Sequence, residues 1–582
     1  MISKSPYDDI NIPKCNILSY LFPTGKDPSL TPLWIDAKFP RNSLSPADLL
    51  LWVKKFALGL DNLGIGENTA IMEFTPNHLY VPVIYLGAAG SKRYYTGANS
   101  AYTADELAYQ MLIVKPAVIL VHPSLFKTAM AAAKKLGVPK ARTFLFSAYT
   151  CAEQDGVRDW RTLLASNQDA ASWDWDELGN QAEIQIATIN FSSGTTGLPK
   201  GVCTSHYNLV SNASQVLRGM FDTAPETQIG DNEKWLAGLP LYHAFSQLYT
   251  INIACRLGIP VYILEKFALT TFLEYIQKFK ITTIQTVSPV MALIASTPDT
   301  MKFDLSSLKN VMVGAAPISL ELQSDLIKRF GFCISRGWGT TETTCVGTKL
   351  PINRIYNHNS IGYLLPNTQA MIVDERAQEI ETGPGELWIR GPQMMLGYWK
   401  NRKATNDSYA AGGWLKTGDI VIVKDDLWWI VDRKKELIKV NGSQVAPAEL
   451  EAVLLQHDLI VDAAVVGLSV DGNEYPRGYV VAHPDALGQG LTEEDILSYV
   501  AQKVAKHKQL RGGIQFKEAI PRLLSGKIMR RVVKEWQKKM HDLSNSSVVG
   551  SSLVLNFRVR RKSRENKVGF AFNLRHRKVM KH

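Results

Sequence analysis

Over its first four hundred residues the chain alternates short β-branched runs with amphipathic stretches, and this alternation is the strongest constraint on its fold. Ala117-Val118-Ile119-Leu120-Val121, Thr282-Thr283-Ile284-Gln285-Thr286-Val287 and Asn310-Val311-Met312-Val313 read as strands, and residues 105–114 and 270–279 beside them read as helices. Strands that alternate with helices build parallel or mixed sheets covered on both faces. Past Gly383 the texture changes: Glu386-Leu387-Trp388-Ile389-Arg390 and Ile420-Val421-Ile422-Val423 read as short strands of a barrel-like piece. The charged cluster Asp432-Arg433-Lys434-Lys435-Glu436 closes it and marks a domain boundary. Beyond it, a helix over 447–455, strands over 463–467 and 478–482 and a helix over 491–507 predict a small α+β domain. The expected organisation is therefore a large domain over 1–432, a small one over 433–543 and a tail over 544–582.

The net charge of +11 raises the question of a polyanionic partner. From Leu543 onward, however, ten basic side chains stand against the single acid Glu565, so the tail carries nine of the eleven charges. A nearly neutral body has no electrostatic footprint for nucleic acid, whereas the tail alone has the charge to touch RNA or an anionic membrane. A composition of 46% hydrophobic and 20% charged residues excludes disordered, collagenous and coiled-coil classes. The six cysteines are scattered without a CxxC pair, which argues against a disulfide framework or a zinc ribbon and favours a reducing compartment. Asp8 and Asp9 stand where a signal peptide needs an apolar core. The longest uncharged run, 235–255, contains Pro240, His243, Gln247 and Asn252 and does not read as a membrane span.

The segment Asn190-Phe191-Ser192-Ser193-Gly194-Thr195-Thr196-Gly197-Leu198-Pro199-Lys200-Gly201-Val202 carries the most chemistry. Its glycines and hydroxyl side chains suit a loop that wraps a polyphosphate with backbone N–H and O–H groups, and Lys200 supplies a counter-charge. It is not a Walker loop, because Leu198-Pro199 separates Gly197 from Lys200 and Gly201 follows the lysine.

This string resembles the phosphate loop of the adenylate-forming superfamily, which includes acyl-CoA synthetases, 4-coumarate:CoA ligases, beetle luciferases and peptide-synthetase adenylation domains. Four further strings match that family in order: Gly337-Trp338-Gly339-Thr340-Thr341-Glu342, Trp414-Leu415-Lys416-Thr417-Gly418-Asp419, Ile430-Val431-Asp432-Arg433-Lys434-Lys435 and Pro521-Arg522-Leu523-Leu524-Ser525-Gly526-Lys527-Ile528. The resemblance implies an α/β fold with a large multi-layered amino-terminal domain, comprising two αβαβα-type sheets plus a small β-barrel, and a small mobile α+β carboxy-terminal domain. It implies ATP, Mg²⁺ and CoA as co-substrates and cofactor, and a small-molecule carboxylic acid as the partner; oligomeric state stays open between monomer and dimer.

Activation of an acid requires its carboxylate to attack the α-phosphate of ATP while pyrophosphate leaves, so two anions must be brought together and the growing charge neutralised. By the resemblance, the phosphate loop contributes Ser192, Ser193, Gly194, Thr195, Thr196, Gly197 and Lys200. Trp338 is implied to stack at the adenine position beside Gly339 and Thr340, Thr341 to meet the α-phosphate, and Glu342 to hold Mg²⁺. Asp419 is implied to accept the ribose hydroxyls, Arg433 to support ribose and phosphate with Lys435 beside it, and Lys527 to stabilise both the acyl carboxylate and the bridging oxygen.

For the thioester step, Lys439-Val440-Asn441-Gly442-Ser443-Gln444 resembles the stretch that admits the pantetheine thiol. Lys439, Gly442 and Gln444 are the implied contacts, with Lys266 at the CoA phosphate; Asn441 departs from the lysine often seen there in 4-coumarate:CoA ligases. Pro240-Leu241-Tyr242-His243 resembles the acyl-pocket segment, in which His243 is read as a gate and a neutral wall. Phe245, Gly314, Gly337, Cys345 and Val346 are the implied walls, the two glycines leaving room for an aryl or medium acyl chain. Arg336 stands where plant aryl ligases often carry Gln, which points away from coumarate itself. The implied activity is acyl-CoA ligation of the 4-coumarate:CoA ligase-like kind. A stand-alone adenylating enzyme serving a carrier protein and a luciferase-like oxygenase share the motifs and stay open as alternatives. The chain ends Val579-Met580-Lys581-His582 rather than in a Ser-Lys-Leu type peroxisomal address, so a cytoplasmic location is expected, with a peroxisomal one left open by the family resemblance.

Overall fold

The structure is a computed structural model that describes residues 2–192, 198–221, 232–315, 318–434, 436–440, 443–470, 473–483, 486, 490–522 and 527–537. Met1–Lys534 forms one compact unit; of the second, Glu535–His582, residues 535–537 alone are described. The basic tail thus lies outside the described residues.

The run 118–121 is a strand of a seven-stranded sheet in the order 397–398, 200–205, 186–192, 94–98, 70–74, 118–121, 143–145. Its five central and distal strands are parallel, and the Ile186–Ser192 and Lys200–Ser205 pair is an antiparallel hairpin. The runs at 283–287 and 310–314 belong to a nine-stranded sheet in the order 363–364, 348–349, 333–338, 310–314, 283–287, 235–237, 261–263, 34–36, 43–44. Six of its strands, from 333–338 to 34–36, are parallel, and the short edge pairs are antiparallel.

Strand residues alternate between faces, and the cores follow that alternation. Ile71, Val118 and Leu120 face one core while Met72, Ile119 and Val121 face another; Trp235 and Ala237 share the first, and Leu236 and Val311 lie in a third. The shared core is filled by Val81–Gly90, buried at all ten positions, and by His206–Met220, so helices lie sandwiched between the two sheets. Ala104–Val114 and Phe126–Leu136 cover the far face of the first sheet, and Leu269–Phe279, Ser288–Ser296 and Leu320–Phe330 that of the second. The layering is α-β-α-β-α.

The short strands expected in a barrel-like piece form a seven-stranded antiparallel sheet with Gln369–Val373, Gly385–Arg390 and Trp414–Lys424 at its centre. Ser3–Lys4 pairs with Gln369 and Ala370, which no local pattern at the amino terminus announces. The strand Leu427–Arg433 pairs with Trp414–Lys424 and leads into the small α+β part. There Pro447–Leu455 and Glu493–Lys503 pack on the strands Ile460–Val470, Asn473–Ala482 and Ile514–Phe516 around Val445, Leu450, Val465 and Val480. The second helix is shorter than the 491–507 expectation because Val504 turns extended, although residues 506–508 form one further 3₁₀ turn. Among the described residues no helix is long and apolar enough to cross a membrane.

Candidate active site

A cleft of about 920 Å³ opens where the strands Asn310–Gly314 and Cys333–Trp338 end, the carboxyl edge at which open α/β sheets place their ligands. Residues as far apart in sequence as Ser192, His243, Glu342, Arg433 and Lys527 line it.

The phosphate-loop string forms the hairpin whose ends are Ser192 and Lys200, paired across the two strands. Ser193, Gly194, Thr195, Thr196 and Gly197 lie outside the described residues, as does Lys435. Ser192 is buried at the cleft, and its hydroxyl has no partner among the described residues. The Lys200 ammonium sits 3.9 Å from the centroid of the Tyr398 ring, in cation–π contact. The Tyr398 hydroxyl in turn donates to Glu342 Oε1 at 2.8 Å. Tyr398 therefore ties the phosphate-loop lysine to the carboxylate on the opposite wall.

Glu342 stands in the single 3₁₀ turn Thr341–Thr343, capped by Thr340. That turn is followed by Thr344 at φ 63°, ψ −53°, and the Cys345 N–H donates to the Thr343 carbonyl at 2.6 Å. This closes a strained three-residue turn, which the Thr344 hydroxyl clamps by donating to the Gln393 carbonyl at 2.7 Å. Gly339 is obligatory here: a Cβ would lie 1.7 Å from the Cys345 carbonyl oxygen. Among the described residues no cluster of three or more His, Cys, Asp or Glu side chains is arranged to hold a metal. The half-buried Glu342 offers one carboxylate, which suits an ion such as Mg²⁺ held mainly by substrate phosphates and water.

Asp419 and Arg433 are direct partners across the 414–424/427–433 pair, which is why two separate sequence motifs converge. Arg433 Nε lies 3.0 Å from Asp419 Oδ1, and the Trp338 indole N–H donates to Asp419 Oδ2 at 2.8 Å. Glu386 joins the next link, accepting from Lys434 Nζ at 2.8 Å and from the Gly418 N–H at 3.2 Å. Gly418 adopts φ 72°, a left-handed conformation that favours glycine.

Lys527 enters from the small part of the fold and lines the same cleft. Burial pushes its ammonium down to about 8, the nearby Arg433 guanidinium acting in the same direction. Its neighbour Ile528 forms an isolated antiparallel bridge with Arg522. On one side Arg522 grips Asp462 with Nε at 3.1 Å and a second nitrogen at 2.6 Å. On the other Arg530 reaches Glu436 at 2.6 Å, Glu451 and the Val465 carbonyl at 3.0 Å. Asp432 completes the junction: its carboxylate accepts from the Arg433 N–H at 2.6 Å and from the Ala448 N–H at 3.1 Å, in the first turn of Pro447–Leu455.

The other end of the cleft is apolar. His243 precedes the short helix Ala244–Ser246, its Nδ1 accepting from the Phe245 N–H at 3.3 Å, and burial lowers its basicity, which fits a neutral wall. The chain then runs through the π-helical stretch Gln247–Ile253, held by reciprocal amide bonds between Gln247 and Asn190. Phe245, Tyr249, Met312, Gly314, Gly337, Cys345 and Val346 line this end. A Cβ at Gly314 would lie 3.3 Å from the Phe245 ring. Gly337 has a second constraint besides lining the cleft, since a Cβ there would meet the Thr348 carbonyl oxygen of the adjacent strand at 2.9 Å.

The residues expected at CoA do not join this cleft. Lys266 is exposed on the loop after Val261–Ile263; Lys439 is exposed in the hairpin of Ile438–Val440 and Ser443–Val445, which also contains Gln444; and Gly442 lies outside the described residues. Arg336 is likewise absent from the lining, 5% exposed and with no hydrogen-bond partner for its guanidinium among the described residues. Sequence reasoning missed Tyr398, Tyr249 and Lys349, all of which line the cleft; no motif or spacing singles them out.

Residues 29–399 match the AMP-binding enzyme family, and residues 449–527 match the AMP-binding enzyme C-terminal domain. A putative acyl-coenzyme A synthetase of Emericella nidulans is 35% identical over 91% of this chain and 97% of its own length. The phenylacetyl-CoA ligase epaB of Aspergillus niger is 34% identical over 90% and 97%, and the probable 4-coumarate–CoA ligase 1 of Dictyostelium discoideum 36% identical over 83% and 88%. Among solved structures, ATP-bound MatB from Rhodopseudomonas palustris shares the fold with a TM-score of 0.79 at 23% identity, over 91% of this chain and 100% of its own. The anthranilate CoA ligase AuaEII in complex with anthranoyl-AMP does so at 0.80 and 20%, over 92% and 99%.

Proposed function

The chain belongs to the AMP-binding enzyme family, and from that premise we propose that this cleft joins a carboxylic acid to AMP at the expense of ATP and then yields the acyl group to the thiol of CoA. The reaction is acid–thiol ligation: carboxylate and ATP give acyl-AMP and pyrophosphate, and the CoA thiol displaces AMP to give the thioester. The observation that carries this reading is the meeting in one cleft of Lys200, Thr341, Glu342, Arg433 and Lys527, from four segments of the chain, opposite the apolar pocket of Phe245 and Tyr249.

In this reading Asp419 receives the ribose, held in place by Trp338 and Arg433. Lys527 places positive charge where carboxylate and α-phosphate approach, and Thr341 and Lys200 flank the phosphates. Mg²⁺, when bound, neutralises phosphate charge, with Glu342 as its protein ligand and Tyr398 orienting that carboxylate. The strand end at 432–433 acts as the hinge between a large domain over 1–432 and a small one over 433–543. The CoA path runs by Lys439 and Gly442 after that hinge turns.

A coupled assay tests the reading. Pyrophosphate release and CoA consumption, followed together over a panel of carboxylic acids, are expected in equal amounts and only with acid present. Acid-dependent pyrophosphate exchange without CoA consumption would overturn the second step, and no exchange with any acid would overturn the first.

A further inference from the structure

The floor of the acyl pocket contains a lysine that neither half-reaction uses. Lys349 lies on the edge strand Thr348–Lys349, opposite Gly337, and is 2% exposed while lining the cleft. Its Nζ is 3.3 Å from Ser335 Oγ, 3.7 Å from Met312 Sδ and 5.6 Å from the centroid of the Tyr249 ring. Ser335 and Met312 sit two residues before Gly337 and Gly314, one step deeper on the same face of their strands, so the amine lies below the glycines.

Among the described residues nothing beside it answers its charge. The Ser335 hydroxyl spends its own proton on the Leu350 carbonyl at 2.6 Å, leaving a neutral oxygen to accept from the lysine, and thioether and ring are weak partners. Among the described residues no carboxylate pairs with Lys349. Burial pushes its ammonium down to about 7. A buried lysine without an anion is rare and costly, and the side left open to a new ligand faces the acyl space.

Resting on the reading of this cleft as an acyl-activating site, we propose that Lys349 is a specificity-determining residue that pairs with a second carboxylate at the distal end of the acid. The substrate class is then a dicarboxylic acid, activated at one end and anchored at the other. Phe245, Tyr249 and Val346 provide the apolar walls between the two ends, suited to an aliphatic or aryl spacer. A neutral distal acceptor would leave the ammonium uncompensated, whereas a carboxylate supplies charge and hydrogen-bond acceptors together.

Matched acids test this: hexanoate against adipate, and phenylacetate against 1,4-phenylenediacetate, each followed by pyrophosphate release and CoA thioester formation. The wild-type enzyme is expected to favour the diacid of each pair at least tenfold in kcat/KM. Lys349→Met is expected to reverse that preference, chiefly through a higher KM for the diacid, and Lys349→Arg to restore part of it. A wild-type preference for the monoacids in both pairs would overturn the proposal even if the variants fail to fold, while leaving acyl activation intact. An unchanged diacid-to-monoacid ratio in folded Lys349→Met would also overturn it. Absence of pyrophosphate release with any of the four acids and with a wider panel would instead sink the acyl-activating reading, and this proposal with it.

Discussion

The Trp338 indole N–H donates to Asp419 Oδ2 at 2.8 Å, so the aromatic ring and this carboxylate form one unit. The ring is packed from behind as well: a Cβ at Gly347 would lie 2.6 Å from it. A phenylalanine in its place would keep an aromatic face but leave one carboxylate oxygen to wander.

Trp338→Phe is therefore expected to raise the KM for ATP about five- to tenfold, roughly 1–1.4 kcal/mol for one lost hydrogen bond to a charged acceptor, with a smaller change in kcat. ATP–pyrophosphate exchange measures it. An unchanged KM would mean that Arg433 alone holds Asp419.

Lys527→Ala should remove the first half-reaction and spare the second. Losing a charge-stabilising donor of this kind costs on the order of 10²–10³ in rate, about 3–4 kcal/mol. Exchange of pyrophosphate into ATP should collapse while synthetic acyl-AMP is still converted to acyl-CoA. Equal losses in both assays would contradict this division of labour.

The depressed basicity of Lys527 has a signature in pH. Its ammonium is held down to about 8, chiefly by burial, so the charged form predominates below that pH and is lost above it. The kcat/KM of adenylation should fall as pH rises through about 8, whereas kcat, which reports the complex with anionic ligands, should hold to higher pH. A flat kcat/KM profile from pH 7 to 9.5 would show that the lysine charge is not needed.

Tyr398→Phe separates a structural from an orienting role for the hydroxyl on Glu342. The ring and its contact with Lys200 persist, and the 2.8 Å bond to Glu342 is lost. The Mg²⁺ concentration giving half-maximal exchange should rise several-fold with little change in thermal stability. Magnesium titration of both proteins gives the comparison, and coincident curves would remove Tyr398 from the metal's surroundings.

The elements legible in the sequence are those that local pattern dictates. Asn310-Val311-Met312-Val313 and the helix over 447–455 were readable because burial on one or both faces imposes a period on a few consecutive residues. Asp419 and Arg433 were readable as motif members, but their pairing arises from strand register, which spans two motifs and appears in neither. Thr344 adopts its left-handed backbone with no glycine or asparagine to advertise it, because Gln393 and Cys345 hold it from outside. Lys349 was invisible for a deeper reason: a lysine in a sequence reads as surface, and only the packing of Met312, Tyr249 and Ser335 around it makes it a floor. Gly337 lines the cleft, but its close contact with the adjacent strand is set by strand pairing that its own motif does not show.

Arg530, three residues after Lys527, clasps Glu436, Glu451 on the first helix of the small part and the Val465 carbonyl on its edge strand Ile460–Val470. One guanidinium thus makes the position of the reactive lysine depend on the integrity of a core far smaller than that of the sheets it serves. Heating should silence adenylation before the bulk of the chain melts, so inactivation by warming would be reversible well below the temperature at which the protein coagulates. The enzyme would then carry its own thermal cut-out, set by the small core and reset on cooling.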